Sequence, residues 1–236
     1  MFPFSGEILL GQGKSVSAQR VCEKIGPLLT PERFQKIDRV IRERTFTPVV
    51  VLENIYDRGN ASAVMRSAEG MGLGQVHVIE LGEKFKESQR TTAGADKWVE
   101  VKKWKSTQSC VDLLKSQGKQ IVVTHLDSTS KNISEVDFTK PTAIVLGNEK
   151  DGVSKEMIEA ADHRVILPMV GFVQSYNISV AGALCFYHIY MDRLRRQGFH
   201  GDLTEGQKTI LKAHYYMRTQ DSSQDYLLEL IARGEL

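Results

Sequence analysis

Cysteine is scarce and scattered in this 236-residue chain: Cys22, Cys110 and Cys185 stand far apart and no C-x-x-C occurs. That spacing speaks against a disulfide framework and a cysteine zinc site, and it fits a reducing compartment. No apolar run approaches the length of a membrane span. A dominant charge is missing too, with 31 Lys and Arg against 29 Asp and Glu and a net charge of +2. Any nucleic-acid role must therefore rest on local basic clusters, not on an overall field. The strand end at Gly147 is not followed by Gly-Lys-Ser/Thr, so that turn is no ordinary nucleotide-binding P-loop. The opening residues, MFPFSGEILLGQGKSVSAQR, lack the charged n-region and long apolar h-region of a secretory signal. Their Ser, Gly and Lys content is compatible with an organellar leader. Cytoplasm is the expected location, with an organellar matrix or stroma as the alternative. No internal repeat is present.

What is present reads as a folded α/β protein. With 41% hydrophobic and 25% charged residues, the chain is long enough for one domain with a sizeable core plus extensions. Residues 1–28 are rich in Gly and Ser, weakly periodic, and read as a loose arm. Thr30 as cap and Pro31 at the first helical position start a helix to about Arg44, with Phe34, Ile37, Val40 and Ile41 on one face. From Thr47 strands alternate with helices. Strands are predicted at Thr47–Leu52, Gln75–Ile79, Gln120–Thr124, Thr142–Leu146 and Arg164–Leu167. Helices are predicted at Asn60–Met71, Ser106–Gln117, Ser154–Ala160 and Asn177–Arg196. That alternation implies a parallel sheet with right-handed crossovers. After Gly198 only helical patterns follow, at about Thr204–Met217 and Gln224–Ile231. The predicted organisation is an arm and basic helix over 1–46, an α/β domain over 47–197, and a helical extension over 198–236.

Three stretches carry chemistry in their residue types and spacing. In Leu167–Tyr187, LPMVGFVQSYNISVAGALCFY, a strand end passes through a loop with Pro168 and Gly171 into a helix. Asn177 or Ser179 can cap that helix by accepting its first free N–H groups. Ala181, Gly182 and Ala183 let its backbone approach a neighbour or a ligand closely. In Leu52–Ala68, Asn60 stands at a helix start and Arg66 nearly two turns on, with Gly72 beyond. Taken singly, Asn60 reads as a cap and Arg66 as a surface arginine. In Ile144–Val153 a strand ends at Gly147, where backbone can approach a ligand, with Glu149 close behind; by itself this is an acidic turn. Gly70-Met71-Gly72-Leu73-Gly74 ends a helix and opens a strand, the reverse of the dinucleotide-binding order, so it reads as a helix C-cap. A nucleotide-dependent oxidoreductase fails on that point.

In this order the stretches resemble the motifs of the SpoU family of RNA 2'-O-ribose methyltransferases, within the SPOUT superfamily. Asn60-x-Ser62-Ala63-x-x-Arg66, with Gly72, resembles the first motif. Leu146-Gly147-Asn148-Glu149-x-x-Gly152 resembles the second. Leu167-Pro168-Met169 with Ser175-Tyr176-Asn177-Ile178-Ser179 resembles the third, with Tyr176 where the family has leucine. Gly94-Ala95-Asp96-Lys97-Trp98 is similar to a further family loop, and Thr124 matches a threonine that lines the family's cofactor pocket. The likeness covers most of the chain. The nearest branch looks like the TrmH-type tRNA guanosine-2'-O-methyltransferases. The segment ahead of Thr47 is shorter than the added domain of many rRNA-modifying relatives. Two helices follow the third motif, beyond where wobble-position enzymes end.

The resemblance implies a SPOUT fold: a parallel sheet flanked by helices, a C-terminal deep trefoil knot, and helical extensions at both ends. It implies S-adenosylmethionine as cofactor, held mostly through backbone at Thr124, Leu146, Gly147, Ile166, Leu167, Met169, Ser175, Tyr176 and Asn177. No metal is expected, because the methyl donor is already activated. The implied catalytic set is Asn60, Arg66, Glu149, Ser175 and Asn177. The family assigns an arginine at the position of Arg66 to activation of the hydroxyl. A neutral guanidine is costly, its pKa being above about 12. Arg66 therefore reads better as a charge that binds the adjacent phosphate and stabilises the developing alkoxide. A homodimer through Val180–Tyr190 is implied, although a helix buried in its own core fits that sequence equally. The RNA grip would come from Arg33, Lys36, Arg39, Arg42 and Arg44, from Arg58 and Lys97, and from Arg193, Arg195, Arg196, Lys208, Lys212 and Arg218. Tyr215 and Tyr216 would stack on bases or simply pack. The expected substrate is the D-loop guanosine (position 18) of tRNA. Alternatives are ribosomal RNA, another tRNA site, or an RNA-binding relative without catalysis, which the intact polar motif residues argue against.

Overall fold

A computed structural model describes residues 2–11, 13–55, 57–81, 94–148, 150–219 and 222–236. They divide into two compact units, residues 45–200, and residues 2–44 together with 201–236.

The N-terminal segment is ordered, which corrects the reading of residues 1–28 as a loose arm. β1 (Glu7–Gly11) and β2 (Lys14–Ser17) pair as an antiparallel hairpin. Ile8 and Leu10 are buried while Glu7 and Leu9 face out, the period-two pattern of a half-covered strand. Ser17 caps α1 (Ala18–Ile25) by accepting the Arg20 N–H. These strands are too short to register as periodic; their packing on helices decides them. α2 (Pro31–Arg42) begins as predicted, with Thr30 accepting the Arg33 N–H, and stops two residues before Arg44.

The unit of residues 45–200 holds a seven-stranded sheet in the order β5-β4-β3-β8-β6-β9-β7, with every pairing parallel. Its elements are β3 (Pro48–Glu53), α3 (Arg58–Gly70), β4 (Gln75–Ile79), β5 (Glu100–Trp104), α4 (Thr107–Ser116), β6 (Gln120–Thr124), β7 (Lys131–Asn132), β8 (Thr142–Leu146), α5 (Lys155–Ala160), β9 (His163–Ile166) and α6 (Ile178–Gln197). β3 and β8 are buried at every position and lie side by side. Such runs suit a sheet covered on both faces. Val50 and Leu52 join a core with residues of α3 and α6, and Val49 and Val51 join a second core with residues of α4 and α5. β5 escapes sequence reading because its residues, EVKKW, show no apolar alternation and gain strand form only by pairing with β4. Gly72 takes a left-handed φ of 76°, ending α3 as a C-cap glycine. All strands being parallel, the loops after β3, β6, β8 and β9 emerge at one edge, where open α/β sheets hold ligands.

The chain closes with α7 (Glu205–Met217), begun by a Thr204–Gln207 capping box, and α8 (Ser223–Ala232). α7 packs on α1 and α2, so the two chain ends share one unit. Tyr215 and Tyr216 are buried there and belong to the core, not to a base-stacking platform. Arg44 is also fully buried, its guanidinium 6.0 Å from the Tyr215 ring centre, which removes it from the RNA-facing set.

Candidate active site

A cleft of about 590 Å³ opens at the carboxyl ends of β6, β8 and β9 and the start of α6. Thr124, Leu146, Gly147, Ile166, Leu167, Met169, Ser175, Tyr176 and Asn177 all line it, with His125 and Ala181 beside them. The Thr124 hydroxyl donates to the Val145 carbonyl at 3.1 Å, tying β6 to β8 at the cleft floor. After β8 the chain doubles back. Asn148 and Gly152 exchange backbone hydrogen bonds of 3.1 and 3.0 Å. The Asn148 side-chain oxygen accepts the N–H groups of Lys150 and Asp151 at 2.8 and 2.6 Å. Only glycine fits at 147, because a Cβ there would lie 2.2 Å from the Gly152 carbonyl carbon. Glu149 lies outside the described residues, as does Tyr56 of the first motif.

The first and third motifs meet at two asparagines. α3 begins at Arg58, two residues earlier than the sequence reading, because Asp57 is its cap and accepts the Asn60 N–H at 2.7 Å. The Asn60 side chain is thereby released from capping. Asn177 donates to the Asn60 oxygen at 3.2 Å across 117 residues of sequence. Asn177 also caps α6, accepting from the Ser179 N–H at 2.9 Å and the Ser179 hydroxyl at 2.6 Å. α6 packs on α3 near Gly182, where a Cβ would come within 3.1 Å of Leu146 and 3.4 Å of Val64. Arg66 is exposed further along α3, and no described residue pairs with its guanidinium. Ser175 lines the cleft and is likewise exposed.

Two groups went unnoticed in the sequence. Glu53, the last residue of β3, is 1% exposed and accepts hydrogen bonds of 2.8 Å from the Thr107 hydroxyl, the Ser154 hydroxyl and the Ser154 N–H. No local signal marks it, since its partners lie 54 and 101 residues away. Beside His125, which lines the cleft, Asp127 stands 3.5 Å from both His125 Nε2 and Arg164 Nη1. The Thr129 hydroxyl bound to Asp127 is the main cause that lowers its carboxyl to about 2. The cysteines are packing residues: burial pushes the Cys110 and Cys185 thiols up to about 12. Among the described residues no group of His, Cys, Asp and Glu is arranged to hold a metal, and no helix is long and apolar enough to cross a membrane.

Some of the basic residues face solvent and others are committed to the fold. Arg33, Lys36, Arg39, Arg58 and Lys97 are exposed. Lys212 is half-buried and 2.5 Å from Asp38, which also faces Arg42 at 3.9 Å. Arg195 and Arg196 both bind the buried carboxylate of Asp192, at 2.5 and 2.9 Å. Burial raises the pKa of Asp192, but hydrogen bonds from Arg196, the Phe138 N–H and Arg195 outweigh it and hold the group low. Arg193 is buried, donating to the Phe138 and His200 carbonyls, and leaves the RNA-facing set. α6 is apolar on two faces. Ile178, Gly182, Cys185, Phe186 and Ile189 are buried, while Val180, Leu184, Tyr187 and Met191 form a stripe with 40–53% exposure.

Compared with known proteins, residues 47–187 match the SpoU rRNA Methylase family. A tRNA (guanosine(18)-2'-O)-methyltransferase of Borreliella burgdorferi is 39% identical over 207 residues, covering 86% of this chain and 94% of the relative. The solved Aquifex aeolicus TrmH/SpoU tRNA modifying enzyme superposes with a TM-score of 0.72 at 32% identity, over 80% of this chain and 98% of that one. The SpoU methyltransferase AviRb from Streptomyces viridochromogenes, solved with the cofactor AdoMet, shares the fold with a TM-score of 0.59 at 22% identity, over 67% of this chain and 64% of that one.

Proposed function

Because the chain belongs to the SpoU rRNA Methylase family, we propose that it is an S-adenosylmethionine-dependent RNA 2'-O-ribose methyltransferase acting on the guanosine at position 18 of tRNA. The observation that carries this reading is the Asn177–Asn60 hydrogen bond of 3.2 Å, which brings the loop lining the cleft to the helix that bears Arg66. A cleft of about 590 Å³ falls within the size range of cofactor sites. Its walls combine apolar side chains such as Leu146, Ile166, Leu167 and Met169 with loop backbone and polar groups such as Thr124 and Asn177, a suitable lining for an adenine ring. When bound, S-adenosylmethionine supplies a methyl group already activated on a sulfonium, so no metal is needed. The backbone at Leu146–Gly147, Ile166–Met169 and Ser175–Asn177 would hold it. Tyr176 keeps the N–H and C=O that leucine would offer, and its hydroxyl lies 3.4 Å from the Pro168 carbonyl across the same loop.

Asn60 and Asn177 position the ribose. The Arg66 guanidinium binds the neighbouring phosphate and offsets the negative charge that grows on the ribose oxygen as the 2'-hydroxyl proton passes to solvent. Glu149 and Ser175 complete the proposed set. α2, with exposed Arg33, Lys36 and Arg39, contributes to the RNA grip, together with Arg58 and Lys97. Residues 47–197 form the catalytic domain, flanked by the segments 1–46 and 198–236. The working particle is a homodimer joined through the apolar stripe of α6. A C-terminal trefoil knot is favoured by the strand order: β8 enters between β3 and β6, β9 passes outside β6, and α6 returns to α3. The site of action is the cytoplasm.

The deciding experiment is mass mapping of ribose methylation on total RNA incubated with the pure protein and cofactor. One new 2'-O-methylguanosine, at position 18 of tRNA, is expected. Methylation confined to ribosomal RNA, or cofactor binding without transfer to any RNA, would refute the assignment.

A further inference from the structure

We propose that Glu53 is a positioning residue for methyl transfer: its buried carboxylate clamps the loop after β8 and thereby sets the backbone that faces the cofactor. The inference rests on the reading of the cleft as the S-adenosylmethionine site. Gly147 and Gly152 both line that cleft, and Ser154 follows two residues after the second glycine. The near end of the loop is fixed by β8. Its far end is fixed by Glu53, which accepts the Ser154 N–H on one oxygen and the Ser154 hydroxyl on the other, each at 2.8 Å. The same hydroxyl accepts the Met157 N–H as the cap of α5, so its own proton is available to the carboxylate.

Glu53 is well suited to act as the fixed post. It ends a fully buried strand, and the next residue is pinned from the opposite side. Asn54 holds a left-handed φ of 52°, with its N–H on the Ile79 carbonyl at 2.9 Å and its side-chain oxygen on the Leu81 N–H at 3.0 Å. The loop carries glycine at 147 and 152 and is tied across its base by the Asn148–Gly152 backbone bonds, so a shift at Ser154 is passed to the residues that line the cleft. A site that grips its ligand by backbone tolerates errors of only about 0.5 Å. Releasing Ser154 should therefore be felt in cofactor binding before it is felt in folding. Thr107 bonds the same carboxylate at 2.8 Å from the start of α4, away from the cleft, and supplies an internal control.

The test uses the full chain and three readouts: melting temperature, calorimetric affinity for S-adenosylmethionine, and amide exchange over residues 146–154. Thr107→Val should lower the melting temperature and leave cofactor affinity within about twofold. Ser154→Ala and Glu53→Gln should weaken cofactor binding about tenfold, the equivalent of one hydrogen bond, and speed exchange in the loop. Ser154→Thr, which keeps the hydroxyl, should restore both. If Ser154→Ala binds cofactor as tightly as the parent while its melting temperature falls, Glu53 only supports the fold and the proposal is overturned. A parent protein that yields no cofactor isotherm instead overturns the cleft reading, and this inference with it. Should Glu53→Gln not fold, the Ser154 and Thr107 variants still decide between the two.

Discussion

Replacing Gly147 by Ala puts a methyl carbon where the doubled-back loop already lies. The added Cβ would stand 2.2 Å from the Gly152 carbonyl carbon, 2.3 Å from its oxygen and 2.4 Å from the Val153 nitrogen, whereas ordinary contact starts at 3.4 Å. The difference, 3.4 − 2.2, is 1.2 Å of displacement, and all three atoms are backbone, which cannot swing aside as a side chain would. Moving the loop that far breaks the paired Asn148–Gly152 hydrogen bonds of 3.1 and 3.0 Å. Two such bonds at about 1 kcal/mol each, with about 1–3 kcal/mol of overpacking strain, give a loss of roughly 3–5 kcal/mol. For a unit of this size that corresponds to a fall in melting temperature of roughly 6–20 °C. Cofactor affinity should fall on the order of a hundredfold, because a displacement of about 1 Å in a positioning element has that scale of effect. Gly171→Ala is the control, since a Cβ there meets nothing within 4 Å; it should change stability by less than about 0.5 kcal/mol. Differential scanning calorimetry and titration with S-adenosylmethionine give both quantities. A Gly147→Ala protein that melts and binds like the parent would refute the packing account of this loop.

Asn177→Ala should cost about 1 kcal/mol through loss of the α6 cap and also abolish transfer, whereas Asn60→Ala, whose helix keeps its Asp57 cap, should abolish transfer at smaller cost in stability; equal melting shifts would contradict the capping assignment. Arg66→Ala should remove methyl transfer and leave cofactor affinity nearly intact, with Arg66→Lys rescuing little for want of a planar fork; normal turnover in Arg66→Ala excludes the role given to it. Burial lowers the pKa of His77 from 6.5 to about 4. Between those values the unfolded chain takes up a proton that the folded one refuses, so stability drops as pH falls from 6.5 to 4, by up to about 3 kcal/mol. His77→Gln should flatten that acid limb in denaturant melts, and an unchanged limb would clear His77 of it. Leu184→Glu combined with Tyr187→Glu, both on the exposed stripe of α6, should give a monomer by light scattering; a persistent dimer would place the interface elsewhere.

Much of the secondary structure could be read from sequence because its signals are local. Thr30 and Pro31 announce α2, the buried runs at Pro48–Glu53 and Thr142–Leu146 announce central strands, and Gly72 announces the end of α3. Spacing within a motif is also local, which is why Asn60, Gly147 and Asn177 could be singled out. The hairpin at Glu7–Ser17 and the edge strand Glu100–Trp104 could not, because EILLG, KSVS and EVKKW lack the continuous apolar runs that mark the buried strands. Charge misled as well. Arg44 and Arg193 look like their exposed neighbours in composition, yet burial against the Tyr215 ring decides the first and burial on the Phe138 and His200 carbonyls the second.

The sequence alone determined the alternation of strands and helices, the order of the three motifs and the residue types that the chemistry requires, since each depends on near neighbours along the chain. Tertiary structure alone decided that Asp57, not Asn60, caps α3, that Asn60 meets Asn177 across 117 residues, and that α6 buries one apolar face and exposes the other. It also decided that Glu53 gathers donors from 54 and 101 residues away. The physical reason is that hydrogen-bond partners and burial are set by which strands lie side by side, and strand order is a property of the whole sheet, not of any stretch within it.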